Sequence, residues 1–167
     1  MPTYKSHVSF FLAGALILLT IACGEKKQKT INTSSDVQFA VEGQLKMFKD
    51  STEQPYADFE IEIADNDYEI QTGMMYRKSL RPNRGMLFIF PEEQPRYFYM
   101  KNTEISLDII YLNAEKKIIS FQKNAKPLDE SSLPSEGPAQ YVFEINGGQA
   151  DALGMEVGDR MEFTKSK

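Results

Sequence analysis

The chain has 167 residues, 41% of them hydrophobic, and a formal net charge of -5. Its one histidine, His7, and its one cysteine, Cys23, both lie at the N-terminus. The rest of the chain therefore cannot build Ser-His-Asp or Cys-His catalysis, a histidine metal site, an internal disulfide or a CxxC redox motif.

The N-terminus is tripartite. Lys5 and the terminal amine give a weakly positive start, and the run from Val8 to Ala22 is almost wholly apolar and carries no charge. That run is short for a permanent membrane span and ends in small residues before a cysteine, as export signals do. Its end, Leu19-Thr20-Ile21-Ala22-Cys23-Gly24, resembles the lipobox of bacterial lipoproteins, with Thr20 where that class favours leucine and Leu19 one place early. The resemblance implies that residues 1–22 are a removable signal and that Cys23 is lipidated. It places the protein in the bacterial cell envelope, held to a membrane through Cys23. The alternatives are a simple secretory signal and an uncleaved anchor. Two or three acyl chains anchor stably where one binds only marginally. Gly24 carries no acidic retention signal, so the outer membrane, facing the periplasm, is the expected site. Loss of residues 1–22 removes Lys5 and no acid, leaving 18 basic against 24 acidic residues and a net charge of -6. That balance argues against a nucleic-acid partner, which requires a basic face.

Residues 23–37 are lysine-rich and then Ser/Thr/Asn-rich, and read as a lipidated flexible tether of roughly 20 Å typical span. Residues 38–167 read as one globular domain, long enough for a real core. From Gln38 to Met47 apolar and polar residues alternate, which predicts a half-buried strand. Phe59, Ile61 and Ile63 alternate with Glu60 and Glu62 in the same way. One helix is expected over Asp67 to Lys78, with Asn66 and Glu69 spaced as a capping box and Gly73 in its interior. Met86 to Phe90 is uniformly apolar, as in a strand covered on both faces, and Pro91 to Pro95 reads as a turn. Further strands are expected at Arg96–Lys101, Leu107–Leu112, Lys117–Gln122, Gln140–Ile145 and Arg160–Thr164. A loop is expected over Lys126–Pro138 and a short helical turn over Ala150–Met155. The spacing predicts a mainly β domain, an antiparallel β-sandwich or jelly-roll-like barrel with one main helix.

Three blocks carry a family resemblance. They are Gly73-Met74-Met75-Tyr76-Arg77-Lys78-Ser79-Leu80 with Gly85 to Phe90; Phe98 to Thr103 with Leu107 to Tyr111; and Tyr141 to Gly148, closing in Gly158-Asp159. Over roughly residues 56 to 165 the chain resembles the domain-of-unknown-function family 192. Tyr99, Ser106 and Gly147 stand where that family usually has tryptophan, proline and alanine. The resemblance implies a compact, mainly β fold and no particular reaction.

The candidate site residues are the polar members of those blocks: Arg77, Lys101, Asn102, Asp108, Glu144 and Asn146, with Thr103 beside them. Each sits among apolar residues, where an unpaired charge is costly. One reading is a ligand pocket in which Arg77 and Lys101 hold an anion and the carboxylates accept hydroxyls. The other is a structural network in which Arg77 or Lys101 pairs with Asp108 or Glu144. The expected role is a ligand-binding or envelope-assembly module, its partner a small molecule or an envelope protein. No catalytic residue, metal or cofactor is assigned. The alternative is a hydrolase of an envelope polymer that uses Asp108 and Glu144 as its two carboxylates. The methionines also suit Cu(I), though their apolar settings fit core filling better.

Overall fold

The computed structural model describes residues 1–3 and 37–166; the apolar leader, Cys23 and most of the tether lie outside the described residues. Among the described residues, seven strands form one sheet in the order β5-β4-β6-β3-β2-β1-β7. They are β1 (Gly43–Phe48), β2 (Pro55–Ala64), β3 (Arg84–Phe98), β4 (Leu107–Leu112), β5 (Ile118–Ala125), β6 (Leu133–Asn146) and β7 (Arg160–Lys165). Two short helices, α1 (Asp67–Thr72) and α2 (Gln149–Ala152), join them. The fold is mainly β as expected, and the sheet curls into a half-barrel.

One pair departs from the antiparallel expectation. β2 and β3 run parallel, from Glu60 opposite Arg84 to Ala64 opposite Phe88. A tight turn can only reverse a chain, whereas a parallel return needs a crossover of a dozen or more residues. The segment from Asp65 to Asn83, with α1 inside it, is such a crossover.

Period-two alternation sends side chains to both faces of the sheet. One face gathers Leu45, Phe59, Ile61, Leu87, Phe143 and Ile145. Phe59 and Phe143 meet edge to face there, with centroids 5.1 Å apart. The other face gathers Met86, Phe88, Ile109, Tyr111 and Val142 under Met74 and Met100. β4 is buried at all six positions because both faces are covered. Truncating a buried Phe of this kind typically costs about 3–5 kcal/mol.

The cover of the second face begins with α1. Asn66 caps it as the sequence indicates: its Oδ1 accepts from the Glu69 N–H at 3.1 Å, while Glu69 Oε2 accepts from the Asp65 N–H at 3.3 Å. The helix ends at Thr72, short of the expected Lys78, because Gly73 leaves it at φ 48°. That left-handed conformation is cheap only for glycine. Tyr76 and Asn102 follow at φ 64° and 55°. They hold each other: the Tyr76 N–H donates to the Asn102 carbonyl at 2.7 Å, and Asn102 Nδ2 donates to Tyr76 Oη at 2.9 Å. These bonds stitch the stretch after α1 to the turn after β3, and together the two segments roof the second face.

Two further segments differ from expectation. The expected turn at Pro91–Pro95 lies inside one long bent β3, where the register with β6 breaks between Ile89 and Gln94. Part of the expected 126–138 loop is the start of β6, with Pro134 opposite Tyr97 and Pro138 opposite Pro95. Proline offers no N–H to a ladder. Where the ladder is interrupted, serine hydroxyls take backbone N–H groups instead: Ser135 Oγ accepts from the Arg96 N–H at 2.9 Å and Ser120 Oγ from the Glu136 N–H at 3.1 Å.

Candidate functional site

Glu144 sits near the middle of the second face. Its register partners are Met86 on β3 and Ile109 on β4, and Met86 in turn lies opposite Glu62 on β2. Glu62, Met86, Glu144 and Ile109 thus form one row across the sheet. Alternation within β2 made Glu62 look solvent-facing, yet it is 6% exposed because the roof covers it. Arg77 descends from the roof and pairs with Glu62, both side chains being almost wholly buried. The second Glu62 oxygen accepts the Ala40 N–H at 2.9 Å.

Arg77 therefore engages Glu62 rather than Asp108 or Glu144, which corrects the expected pairing. Glu144 feels the charge of Arg77 without sharing its ion pair. One of its oxygens is buried with no hydrogen-bond partner among the described residues. Burial pushes its pKa up to about 8, and the nearby Arg77 charge opposes that rise without cancelling it. The carboxyl is therefore mostly protonated at neutral pH, with an O–H donor and acceptor capacity both on offer.

A cavity of about 420 Å³ opens over this carboxyl, between the end of α1 and the far end of β3. Ile70, Met74, Phe88, Phe90 and Phe98 make its apolar walls, and Gln71, Arg96, Thr103 and Glu144 are polar members of its lining. Gln94, Tyr97 and Tyr99 stand at the rim. Tyr97 and Tyr99 are 69% and 44% exposed and border the opening. An apolar cleft with few convergent polar groups and a perturbed carboxyl is the usual form of a ligand site.

The other expected site residues do not join Glu144. Asp108 lies on the opposite face of the sheet, since its neighbour Ile109 is the residue that faces Glu144. It is fully buried and works as a structural acceptor. Its Oδ1 takes the N–H groups of Asn124 at 2.8 Å and Gly148 at 3.0 Å, and its Oδ2 takes that of Ala150 at 2.8 Å. Asp108 and Glu144 thus cannot flank one bond as a hydrolase pair, because successive residues of a strand point to opposite faces. Lys101 is exposed in the turn after β3. Asn102 braces Tyr76, as described above. Asn146 Nδ2 donates to the Leu80 carbonyl at 3.2 Å and holds the roof to β6. Six methionines are buried core, Met47, Met155 and Met161 on the first face and Met74, Met86 and Met100 on the second, while Met75 is half-buried beside Asn102.

Residues 47–163 match the family model DUF192, described as "Uncharacterized ACR". The UPF0127 proteins of Pyrococcus furiosus and Pyrococcus abyssi are each 31% identical to the chain. Their alignments cover 64% and 62% of it, and 88% and 85% of the respective relatives. Among solved structures, a Sinorhizobium meliloti protein provisionally assigned as a transcription regulator shares 32% identity at a TM-score of 0.70, covering 76% of this chain and 96% of that one. A Novosphingobium aromaticivorans protein of unknown function shares 35% identity at a TM-score of 0.67, covering 71% and 83%.

Proposed function

This chain belongs to the DUF192 family, and on that premise we propose that it is an exported, lipid-anchored binding module of the bacterial cell envelope whose ligand enters the cleft over Glu144. One observation carries the ligand reading: a buried Glu144 carboxyl oxygen has no partner among the described residues, and Glu144 lines an open cavity walled largely by apolar side chains. Leaving a buried polar group unsatisfied costs roughly 1–3 kcal/mol, and a ligand that supplies the partner recovers it. The fitting ligand has an apolar, aromatic-sized body and one uncharged hydrogen-bonding group. The location reading is supported by the apolar leader, the lipobox-like run into Cys23 and the tether that follows. The provisional assignment of the Sinorhizobium protein to transcription is not carried over, because this chain is acidic and opens with an export-type leader.

The uncharged aromatic probe N-phenyl-1-naphthylamine tests the cleft. Titrated into the purified chain and followed by amide NMR, it should saturate at one site and shift Thr72, Met74, Tyr97 and Glu144. Tyr97→Asp at the rim should weaken it severalfold. Shifts confined to another part of the molecule, or no saturation, would remove the reading.

A further inference from the structure

Among the described residues that line the cleft over Glu144, Arg96 is the one cation. Arg96 stands two residues before Phe98 on β3, so strand alternation brings both to the cleft side of the sheet. Its guanidinium lies over the Phe90 ring, 3.8 Å from the centroid, and Phe90 meets Phe98 edge to face at 6.5 Å. Arg96 is 9% exposed. Its Nε donates to the Ala139 carbonyl at 3.0 Å and its Nη2 to the Glu92 carbonyl. These carbonyls fix the side chain but carry no counter-charge, and among the described residues they leave other N–H donors of the fork unengaged. Among the described residues Arg96 forms no ion pair. Burial holds the guanidinium below its ordinary pKa, and the charge of the exposed Glu92 carboxylate offsets that only in part. Glu144, mostly protonated at neutral pH, supplies no counter-charge either. Arg96 is thus a fixed, buried cation without a counter-ion on the wall of an open cavity, and such a charge is costly until a partner arrives.

We infer that the ligand of this cleft is an apolar monocarboxylate, with its carboxylate seated on Arg96 and its uncharged hydrogen-bonding group on Glu144. This ligand class rests on the cleft being a binding site. A carboxylate matches one guanidinium fork with one charge, and apolar surroundings strengthen the pair. A phosphate group brings more charge than the single cation of the cleft balances. The apolar walls take the aromatic or aliphatic body. The chain carries a net charge of -5, so the molecule as a whole does not attract anions, and a preference for the acid has to come from the cleft.

The probes are 1-naphthaleneacetate and its uncharged isostere 1-naphthaleneacetamide, each titrated into the purified chain and followed by amide NMR. Both should shift Thr72, Met74 and Tyr97, and the acetate should bind about tenfold tighter than the acetamide. Arg96→Met should erase that preference while N-phenyl-1-naphthylamine still binds. Arg96→Lys, which keeps the charge without the fork, should retain part of it. Lys101→Gln, in the exposed turn after β3, should leave it unchanged. Acetate that binds the wild-type chain no tighter than acetamide, with cleft shifts from both, overturns the carboxylate and leaves the cleft standing; this comparison needs no variant to fold. A preference that survives Arg96→Met, or that Lys101→Gln removes, overturns it as well. Absence of cleft shifts with every probe removes the cleft reading and the carboxylate with it.

Discussion

Glu144 keeps its proton to about pH 8 because the roof strips water from the carboxyl while Arg77 is engaged by Glu62. The sign of the consequence follows from linkage. Between the ordinary 4.5 and about 8, the folded chain holds a proton that the unfolded chain has released. Stability contributed at this site therefore falls as pH rises through that window, by up to about 1.4 kcal/mol per unit, and levels off above it. Glu144→Gln should flatten that part of the profile, so thermal melts of variant and wild type at pH 5, 6.5 and 8 should diverge. Parallel profiles would show that the carboxyl does not titrate there. Asp108 calls for the opposite expectation. Asp108→Asn leaves one acceptor oxygen where three backbone N–H groups converge and turns an amide donor toward one of them. A loss of about 2–4 kcal/mol in urea unfolding is expected, with probe binding in the cleft retained.

At the scale of elements, the β4–β6 corner explains two departures from the family pattern together. A Cβ at Gly147 would stand 2.3 Å from Ser106 Oγ and 3.0 Å from Ser106 Cβ. Ser106 Oγ is itself fixed, donating to the Ala125 carbonyl at 3.0 Å. The serine in place of proline and the glycine in place of alanine therefore fit each other. Gly147→Ala alone should cost about 1–3 kcal/mol through overpacking. Joined with Ser106→Pro, which restores the usual family pair, it should cost less than the sum of the two single changes; strict additivity in a double-mutant cycle would refute the coupling. The helix lesson is similar. The cap at Asn66 was legible because it is local, but the helix end was not. Gly73 reads as an interior glycine until the positive φ with which it ends the helix is seen.

For the whole molecule, the fold of the domain and the proposed membrane address are separate problems. If Cys23 carries the anchor, Cys23→Ala should abolish labelling by radioactive palmitate and move the protein from the membrane pellet to the soluble fraction. Labelling that survives the substitution would sink the lipoprotein reading. Among the described residues, two of the cavities differ in lining. One is walled largely by apolar side chains with Glu144 and Arg96 among its polar members; the other is lined by Arg77, Lys78, Arg81 and Arg84 beside residues 37–39.

Period-two patterning by itself determined that the domain is mainly β, where most strands run, and that Asp108 and Glu144 lie among apolar neighbours. Those properties are local: alternation, capping and turn chemistry act over a few residues. Which face each carboxyl occupies relative to the other, and what covers it, depended on the β3–β6 and β4–β6 registers and on the crossover through α1. Only the tertiary structure could place Arg77 on Glu62, commit Asp108 to three backbone N–H groups, and leave Glu144 alone beneath a cleft. The physical reason is that a buried charge is defined by its partners, and here each partner comes from a distant part of the chain.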